Sequence, residues 1–199
     1  MNDPGLFARL YDPLMHLPEN LGLRSLRREV LRGVRGRVLE LGIGTGTNLP
    51  LYPPTVERVI GIDPDESMLG RAQRRARKTS FPVELILATA EELPFEDERF
   101  DAVISTLVFC TVADPPTALK EVQRVLKSGG EFRLLEHVKA TQERIGWLQE
   151  KATPLWKHVA GGCHLDRDTS STVQETGFDV EQVKHHLQGL VVSIFARSP

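Results

Sequence analysis

Short apolar runs alternate with amphipathic stretches along most of the 199-residue chain. Runs of this length predict strands that are buried on both faces of a parallel sheet. The stretches between them, at residues 64–79 and 114–127, have the spacing of helices, and Asp114 is a suitable N-cap. Strands are predicted at residues 38–41, 58–62, 83–88 and 131–138, and residues 100–109 are predicted to contain the fourth strand and the start of its loop. Gly129 and Gly130 are expected to turn the chain into the last strand.

Two further apolar segments close the chain, at residues 178–186 and 189–196. They are joined by only a few residues, which predicts an antiparallel hairpin. We therefore expect an α/β fold with a Rossmann-like seven-stranded sheet, mostly parallel with a C-terminal antiparallel hairpin, and helices on both faces.

Residues before the first strand have a helical pattern with two interruptions. Pro13 is expected to break the first helix near Tyr11, and residues 18–22 separate a second one. We expect residues 1–35 to form a helical segment and residues 36–199 to form a Rossmann-like core. At 199 residues the whole chain, 1–199, is the size of one domain.

Composition excludes several classes of protein. With 26% charged residues and a net charge of -2, the chain reads as globular, without the excess positive charge that would suggest nucleic acid as a partner. No apolar run approaches the roughly 20 residues of a membrane span, and no signal peptide pattern opens the sequence. Two cysteines do not make a disulfide framework, so a cytoplasmic location is the simplest expectation.

Two basic clusters stand out against this balanced charge. Residues 24–37 contain six arginines and one acid, and residues 71–78 contain five further basic side chains. Such clusters are usually solvated helix faces, and this is the simpler interpretation here. The alternative is a weak peripheral contact with an anionic membrane.

The residues that indicate a specific function form the pattern Glu40-x-Gly42-x-Gly44-x-Gly46, which begins at the end of the first strand. Glycines there allow a sharp turn, a close approach of the backbone to a ligand and entry into a helical segment. Asp63 ends the second strand, where an acidic side chain can bind ribose hydroxyls. The pattern predicts a cofactor that contains adenosine. A nicotinamide dinucleotide is disfavoured, because Thr47 occupies the position of its third glycine.

These residues resemble motif I of the class I S-adenosylmethionine (SAM) methyltransferases. Residues 61–69 (GIDPDESML), 90–95 (AEELPF) and 100–103 (FDAV) extend the resemblance to the ubiquinone/menaquinone-biosynthesis type, over roughly residues 37–137. The antiparallel hairpin is also typical of the methyltransferase form of the sheet. The resemblance implies that SAM is the cofactor and that the following residues bind it: Glu40, Gly42, Gly44, Gly46, Asp63, Met68, Thr89, Ala90, Thr106 and Leu107, with Tyr11 on a helical lid.

A narrower resemblance begins at residue 105. Residues 105–112 (STLVFCTV), 135–138 (LEHV) and 162–167 (GCHLDR) are similar to a methyltransferase-like family that includes mammalian alkyl-thiol S-methyltransferases. This implies a small, apolar acceptor, with a thiol favoured. Bacterial relatives also resemble phospholipid N-methyltransferases. A phospholipid or quinone methyltransferase therefore remains an alternative, as does a SAM-binding regulatory or scaffold protein without turnover.

Several side chains beyond the cofactor motifs could take part in the reaction. His137 ends the fifth strand and is the candidate general base, the alternative being a histidine that only holds a loop. Trp147 and Trp156 are candidates to cap the substrate pocket, or to pack in the core. Cys163, His164 and Asp166 lack the spacing of metal ligands, so no metal site is expected.

Overall fold

The computed structural model describes residues 4–140, 142–159, 163–165 and 167–199. Seven strands and six α-helices follow one another in this part of the chain. The strands are β1 (Gly36–Leu41), β2 (Val56–Asp63), β3 (Val83–Leu87), β4 (Phe100–Thr106), β5 (Leu126–His137), β6 (Asp179–His186) and β7 (Val191–Arg197). The helices are α1 (Pro4–Pro18), α2 (Arg24–Leu31), α3 (Glu66–Ala76), α4 (Pro115–Val125), α5 (Glu143–Val159) and α6 (Thr169–Glu175).

All seven strands form one sheet, in the order β3-β2-β1-β4-β5-β7-β6. The five strands from β1 to β5 are parallel, whereas β7 lies antiparallel between β5 and β6. The predicted mostly parallel sheet with a C-terminal hairpin is therefore confirmed. Strand order reverses between β1 and β4, and the crevice beyond their carboxyl ends is where such sheets bind ligands.

Alternate residues of the central strands face two separate apolar cores. In β1, Leu39 and Leu41 belong to the core that includes Val122 of α4 and Val173 of α6. Val38 lies between them in sequence, and it packs with Leu31 of α2 and Ala72 of α3. Because successive side chains of a strand point to opposite faces, these two cores lie on opposite sides of the sheet. Helices thus cover both faces, as predicted.

The N-terminal segment differs from its prediction at Pro13. Helix α1 continues through this proline without interruption. A proline removes one helical hydrogen bond, but Ala8 is buried against the body of the protein and Asp12 forms a salt bridge with Arg75. These tertiary contacts hold the helix on both sides of the proline. The predicted break at residues 18–22 corresponds to one π-helical turn, Glu19–Leu23.

Strand β5 begins earlier than the sequence predicts. It starts at Leu126, which pairs with Phe100, and regular pairing resumes only where Glu131 faces Ala102. The intervening residues form a bulge in which Gly129 has a positive φ of 69°. The glycines that indicated a turn before the strand therefore lie within it. No helix in the described residues is long and apolar enough to cross a bilayer.

Candidate functional site

The glycine loop begins directly after β1, at the crevice beyond the carboxyl end of this strand. Gly42 has a φ of 52°, and a side chain there would meet Val108 at 2.6 Å. Gly46 lies against Leu49 and Ala72 in the same way, whereas the space beside Gly44 is open. The helical segment predicted after the loop is only one turn of 3-10 helix, Leu49–Leu51. Two prolines follow it at residues 53 and 54, and they cannot donate the hydrogen bonds that would extend a helix.

Asp63 ties the end of β2 to this loop. Its Oδ2 accepts a hydrogen bond of 2.9 Å from the Gly44 amide, and its Oδ1 accepts one of 2.9 Å from the Asp65 amide. The side chain is buried, and burial raises the pKa of the carboxyl while the two amide hydrogen bonds lower it. Asp63, the predicted acceptor for ribose hydroxyls, therefore lies beside Gly44, where there is open space.

Glu40 lies deeper, near the end of β1. Its Oε1 accepts a hydrogen bond of 2.8 Å from the Asn48 amide, and its Oε2 accepts one of 2.9 Å from the Tyr52 hydroxyl. Burial raises the pKa of Glu40 to about 7, although both hydrogen bonds oppose the shift. Through these two hydrogen bonds Glu40 holds the segment that follows the glycine loop.

Arg27 is the functional candidate that the sequence analysis missed. It is only 3% exposed, and its Nη1 donates to Thr106 Oγ1 at 2.6 Å and to Asn48 Oδ1 at 3.1 Å. Its Nε donates to Glu19 at 2.8 Å. Arg27 is four residues from both Leu23 and Leu31, so its position on the apolar face of α2 was the available signal. By charge count alone, Arg27 belongs to the basic cluster at residues 24–37.

These groups line a small cleft, to which α1 contributes Tyr11. Among the predicted cofactor residues, Tyr11, Glu40, Gly42, Gly44 and Thr106 line it. Tyr11 reaches the cleft from α1, and burial raises the pKa of its hydroxyl. The remaining lining residues are Arg27, Ile43, Thr45, Thr47 and Asn48.

Other predicted cofactor residues lie outside this cleft. Met68 is buried in the first turn of α3, beyond the Asp65 N-cap. Thr89 is exposed and Ala90 is buried just after β3. Leu107 directly follows β4 and has a φ of 61°, and its amide donates to the carbonyl of Leu135. All of these follow the carboxyl ends of parallel strands, which lie along one edge of the sheet.

Glu136 and His137 point to different surroundings, as neighbouring residues of a strand do. The Glu136 carboxylate is fully buried and accepts hydrogen bonds from Ser105 Oγ at 2.9 Å and from the Val108 amide at 3.1 Å. His137 is partly buried, and burial lowers its pKa. Its Nδ1 is enclosed and has no hydrogen-bond partner among the described residues. Its lowered pKa keeps the imidazole mostly neutral at neutral pH.

The C-terminal half gives mixed results for the other candidates. Trp147 is 57% exposed and lies beneath the Lys151 ammonium, so it does not pack in the core. The side chain of Trp156, and residues 160–162 and 166 of the GCHLDR element, lie outside the described residues. Cys110 is buried beside Cys163. The described part of the chain contains no group of side chains that could hold a metal ion.

Comparison with known proteins identifies the class to which this fold and site belong. The family model described as "Methyltransferase domain" matches residues 39–134. A SAM-dependent methyltransferase from Thermotoga maritima has the same fold, with a TM-score of 0.69 at 26% identity over 97% of this chain and 98% of its own. The protein is a methyltransferase of the SAM-dependent class.

Curated relatives of this chain include thiol methyltransferases. Thiol S-methyltransferase TMT1B of Rattus norvegicus is 37% identical over 175 residues, which are 81% of this chain and 71% of the relative. The chain belongs to the family of this enzyme. A phosphatidylethanolamine N-methyltransferase of Cereibacter sphaeroides is 42% identical over 128 residues, 63% of this chain and 62% of the relative.

Proposed function

We propose that this methyltransferase transfers the methyl group of SAM to a small, apolar thiol, with His137 as the general base. The observation that carries the proposal is the position of His137 at the carboxyl end of β5. Its buried Nδ1 has no hydrogen-bond partner among the described residues. The family relationship to thiol S-methyltransferase TMT1B supports the choice of a thiol. The same relationship supports a small molecule as the partner.

The residues in and beside the cleft match SAM in charge. A buried guanidinium, Arg27, offers a cation for the cofactor's carboxylate, and Asp63 offers acceptors for ribose hydroxyls. Gly44 leaves open space for a close approach of the backbone. We further assign Glu40, Gly42, Gly46, Tyr11, Thr106 and Leu107 to the loop and methionine side of the site, and Met68, Thr89 and Ala90 to the adenine side.

Helix α1 is proposed to act as the lid of this site. Ligand pockets are typically roughly 300–1,000 Å³, whereas the cleft beside α1 has a volume of only about 20 Å³. Admission of a cofactor as large as SAM therefore requires α1 to move outward. Its return would exclude water, which favours a reaction in which opposite charges cancel.

The chemistry asks for alignment and for a deprotonated thiol. SAM supplies an electrophilic methyl group on a sulfonium, and alignment of the two reactants can contribute roughly 7–11 kcal/mol. A free thiol has a pKa of about 8.5, so most of it is protonated at neutral pH. His137 takes the thiol proton on Nδ1, and the thiolate formed is the nucleophile. Its lowered pKa keeps His137 neutral and able to accept that proton.

The test compares two thiols in the His137→Gln variant. An alkyl thiol needs a base, whereas an acidic aryl thiol is already ionised. We expect the rate with the alkyl thiol to fall by roughly 10²–10⁴-fold, and the rate with the aryl thiol to fall much less. His185→Gln is the matched control, because His185 lies exposed on β6. Rates are measured with labelled methyl groups at saturating SAM.

Four outcomes would change the proposal. Equal losses for both thiols would remove His137 as the base and leave it a structural role. Turnover of neither thiol by the unmodified protein would withdraw the thiol acceptor. Methylation of phosphatidylethanolamine in place of thiols would favour the phospholipid alternative, to which the Cereibacter sphaeroides relative points. SAM binding without turnover of any acceptor would favour a regulatory protein.

A further inference from the structure

The two cysteines of the chain lie side by side, although they are far apart in the sequence. Cys110 is buried in the loop after β4, and Cys163 is partly exposed. Both are thiols, and the Cys163 thiol forms a hydrogen bond with the Cys110 thiol. Neither has a part in the methyl transfer proposed above. We call the described residues 163–165 and 167 the Cys163 segment.

The backbones beside the two thiols are also paired. The amide of His164 donates a hydrogen bond of 2.8 Å to the carbonyl of Cys110. Backbones joined in this way lie about 4.7–4.9 Å apart, as neighbouring strands do. The Cα atoms of a disulfide are usually about 4.4–6.8 Å apart. A bond between the two sulfurs therefore requires little movement of the backbone.

Arg167 holds the Cys163 segment against the same loop. Its Nη1 donates to the carbonyls of Phe109 at 2.5 Å and Val112 at 2.6 Å, which lie on either side of Cys110 in the sequence. The carbonyl of Arg167 accepts a hydrogen bond of 3.1 Å from the Lys139 amide, just beyond β5. These contacts are hydrogen bonds, so they can open locally. A disulfide would make the same attachment covalent.

The loop that contains Cys110 borders the cofactor site at two points. Val108 fills the space beside Gly42 of the glycine loop. Burial raises the pKa of the Tyr11 hydroxyl, and the Cys110 thiol adds to this increase, so the thiol lies near a residue that lines the cleft. A covalent bond at Cys110 would therefore restrain a loop that adjoins both the glycine loop and α1.

The two thiols differ in reactivity. The hydrogen bond with Cys163 and burial raise the pKa of Cys110, which makes this thiol a poor nucleophile toward reagents in solution. Cys163 is partly exposed, so such a reagent meets it first. An accessible thiol next to a second cysteine is typical of redox-sensing sites. In a reducing compartment, disulfides are usually transient and serve catalysis or redox sensing.

We propose that Cys110 and Cys163 form a reversible disulfide that fastens the Cys163 segment to the loop after β4 and slows release of the cofactor product. The oxidant is a small-molecule disulfide, RSSR. The Cys163 sulfur attacks one sulfur of RSSR, the S–S bond breaks, and one RSH leaves with the Cys163 proton. The Cys110 sulfur then displaces the second RSH, which leaves with the Cys110 proton. Two protein thiols are oxidised and one RSSR is reduced.

Intact-mass spectrometry of the full chain after incubation with oxidised glutathione tests the bond. Because the chain has only two cysteines, a monomer that has lost two hydrogen atoms contains this disulfide. Dithiothreitol should restore the original mass. Cys110→Ser should instead retain glutathione on Cys163, because no second thiol displaces it. Cys163→Ser should stay unmodified, since its remaining thiol is buried.

Release of S-adenosylhomocysteine tests the consequence. The dissociation rate of labelled S-adenosylhomocysteine should be roughly tenfold lower in the oxidised protein than in the reduced protein. Exchange of the His164 amide should slow by a similar factor. Cys163→Ser is the control, and it should release the ligand at the rate of the reduced protein with or without oxidised glutathione. No acceptor is needed, so the result is independent of the thiol proposal.

Four results would overturn the inference. They are an unchanged mass of the unmodified protein, a lasting glutathione adduct on it, a disulfide-linked dimer, and equal release rates in its oxidised and reduced forms. The first three would show that the two sulfurs do not bond within one chain. The last would show that the bond does not affect the cofactor site. Cys163 is partly exposed, so Cys163→Ser should keep the melting temperature of the unmodified protein.

Discussion

The three glycines of the loop after β1 have different neighbours, although their spacing in the sequence is uniform. A side chain at Gly42 would meet Val108, and one at Gly46 would meet Leu49 and the backbone of Ala72. A side chain at Gly44 would meet no atom closer than the Gly42 carbonyl, at 3.9 Å. Gly42 and Gly46 are therefore needed for packing, whereas Gly44 is open toward the cleft.

Alanine substitutions should separate packing from cofactor approach. Gly44→Ala should cost about 1–2 kcal/mol in the free energy of unfolding, because the backbone there has a positive φ. Gly42→Ala adds the clash with Val108 and should cost about 2–5 kcal/mol. Urea unfolding measures both losses.

Gly44→Ala should weaken cofactor binding although it costs little stability. Gly44→Ala places a methyl group in the open side of the cleft while the protein remains folded, so affinity for S-adenosylhomocysteine should fall at least roughly tenfold. Calorimetry below the unfolding transition measures this affinity. Binding by Gly44→Ala that equals the unmodified protein would show that the cofactor does not approach this glycine.

Single residues were predictable where a motif fixes their backbone position. Glu40 and Asp63 lie near the ends of β1 and β2, and the glycines follow β1, so their positions followed from the strand pattern. Arg27 was not predictable by counting charge, because a count ignores which face of the helix an arginine occupies. Its burial is compensated by Glu19 and by hydrogen bonds to Asn48 and Thr106, which lie far away in sequence.

Helix α1 is attached to the core in part by a polar cluster. Asp12 Oδ2 accepts from Arg75 Nη2 at 2.9 Å, and Asp12 Oδ1 accepts from the Thr45 hydroxyl at 2.7 Å. Arg75 Nη1 also donates to the carbonyl of Thr45 at 2.5 Å. The cluster joins α1, α3 and the glycine loop. Polar contacts that are partly exposed are weak, which suits an element that must open.

Loss of this cluster should loosen α1 without unfolding the protein. Both charged side chains are about a third exposed, so removing the ion pair should cost at most about 1 kcal/mol. Arg75→Gln should therefore speed amide hydrogen exchange in residues 8–17 by roughly two- to fivefold. Arg74→Gln is the control, because Arg74 is exposed in the same helix. Unchanged exchange in Arg75→Gln would show that other contacts hold the lid.

Elements were predicted well where periodicity alone decides them. The parallel strands and the C-terminal hairpin followed from apolar runs and short connections. The continuation of α1 through Pro13 did not, because the contacts of Ala8 and Asp12 with the body outweigh one missing hydrogen bond. The predicted start of β5 was also wrong, because the pairing of Leu126 with Phe100 extends the strand beyond its own apolar run.

Two fully buried carboxyls, Glu40 and Glu136, link neighbouring parts of the sheet to the loops that follow it. Glu40 binds Asn48 and Tyr52 below the glycine loop, and Glu136 holds the loop after β4 through Ser105 and the Val108 amide. Burial raises the pKa of each to about 7. These two groups bind protons more tightly in the folded protein than in the unfolded chain, where carboxyls titrate near about 4.3.

Other titrating groups act differently on the stability of the molecule. Glu29, Asp101 and Glu121 have lowered pKa values, mainly through ion pairs and hydrogen bonds that outweigh burial. Their stabilising contribution is present above about pH 4.3 and is lost as the pH falls below it. His137 has a lowered pKa, so protonation below about pH 6.5 favours unfolding. It opposes the two buried carboxyls in part of their range.

Stability should therefore depend on Glu136 between about pH 4.5 and 7. In this range the folded protein holds more protons than the unfolded chain, so the contribution of Glu136 to stability falls as the pH rises. A shift from about 4.5 to about 7 corresponds to a change on the order of 3 kcal/mol. Urea unfolding of Glu136→Gln at several pH values should show a smaller decline than the unmodified protein, while the exposed Glu84→Gln should keep the full decline. Because Glu40 and His137 titrate in both proteins, the difference between Glu136→Gln and the unmodified protein isolates the Glu136 carboxyl. If that difference in unfolding free energy stays constant from pH 4.5 to 7, the hydrogen bonds from Ser105 and Val108 hold Glu136 ionised against the effect of burial.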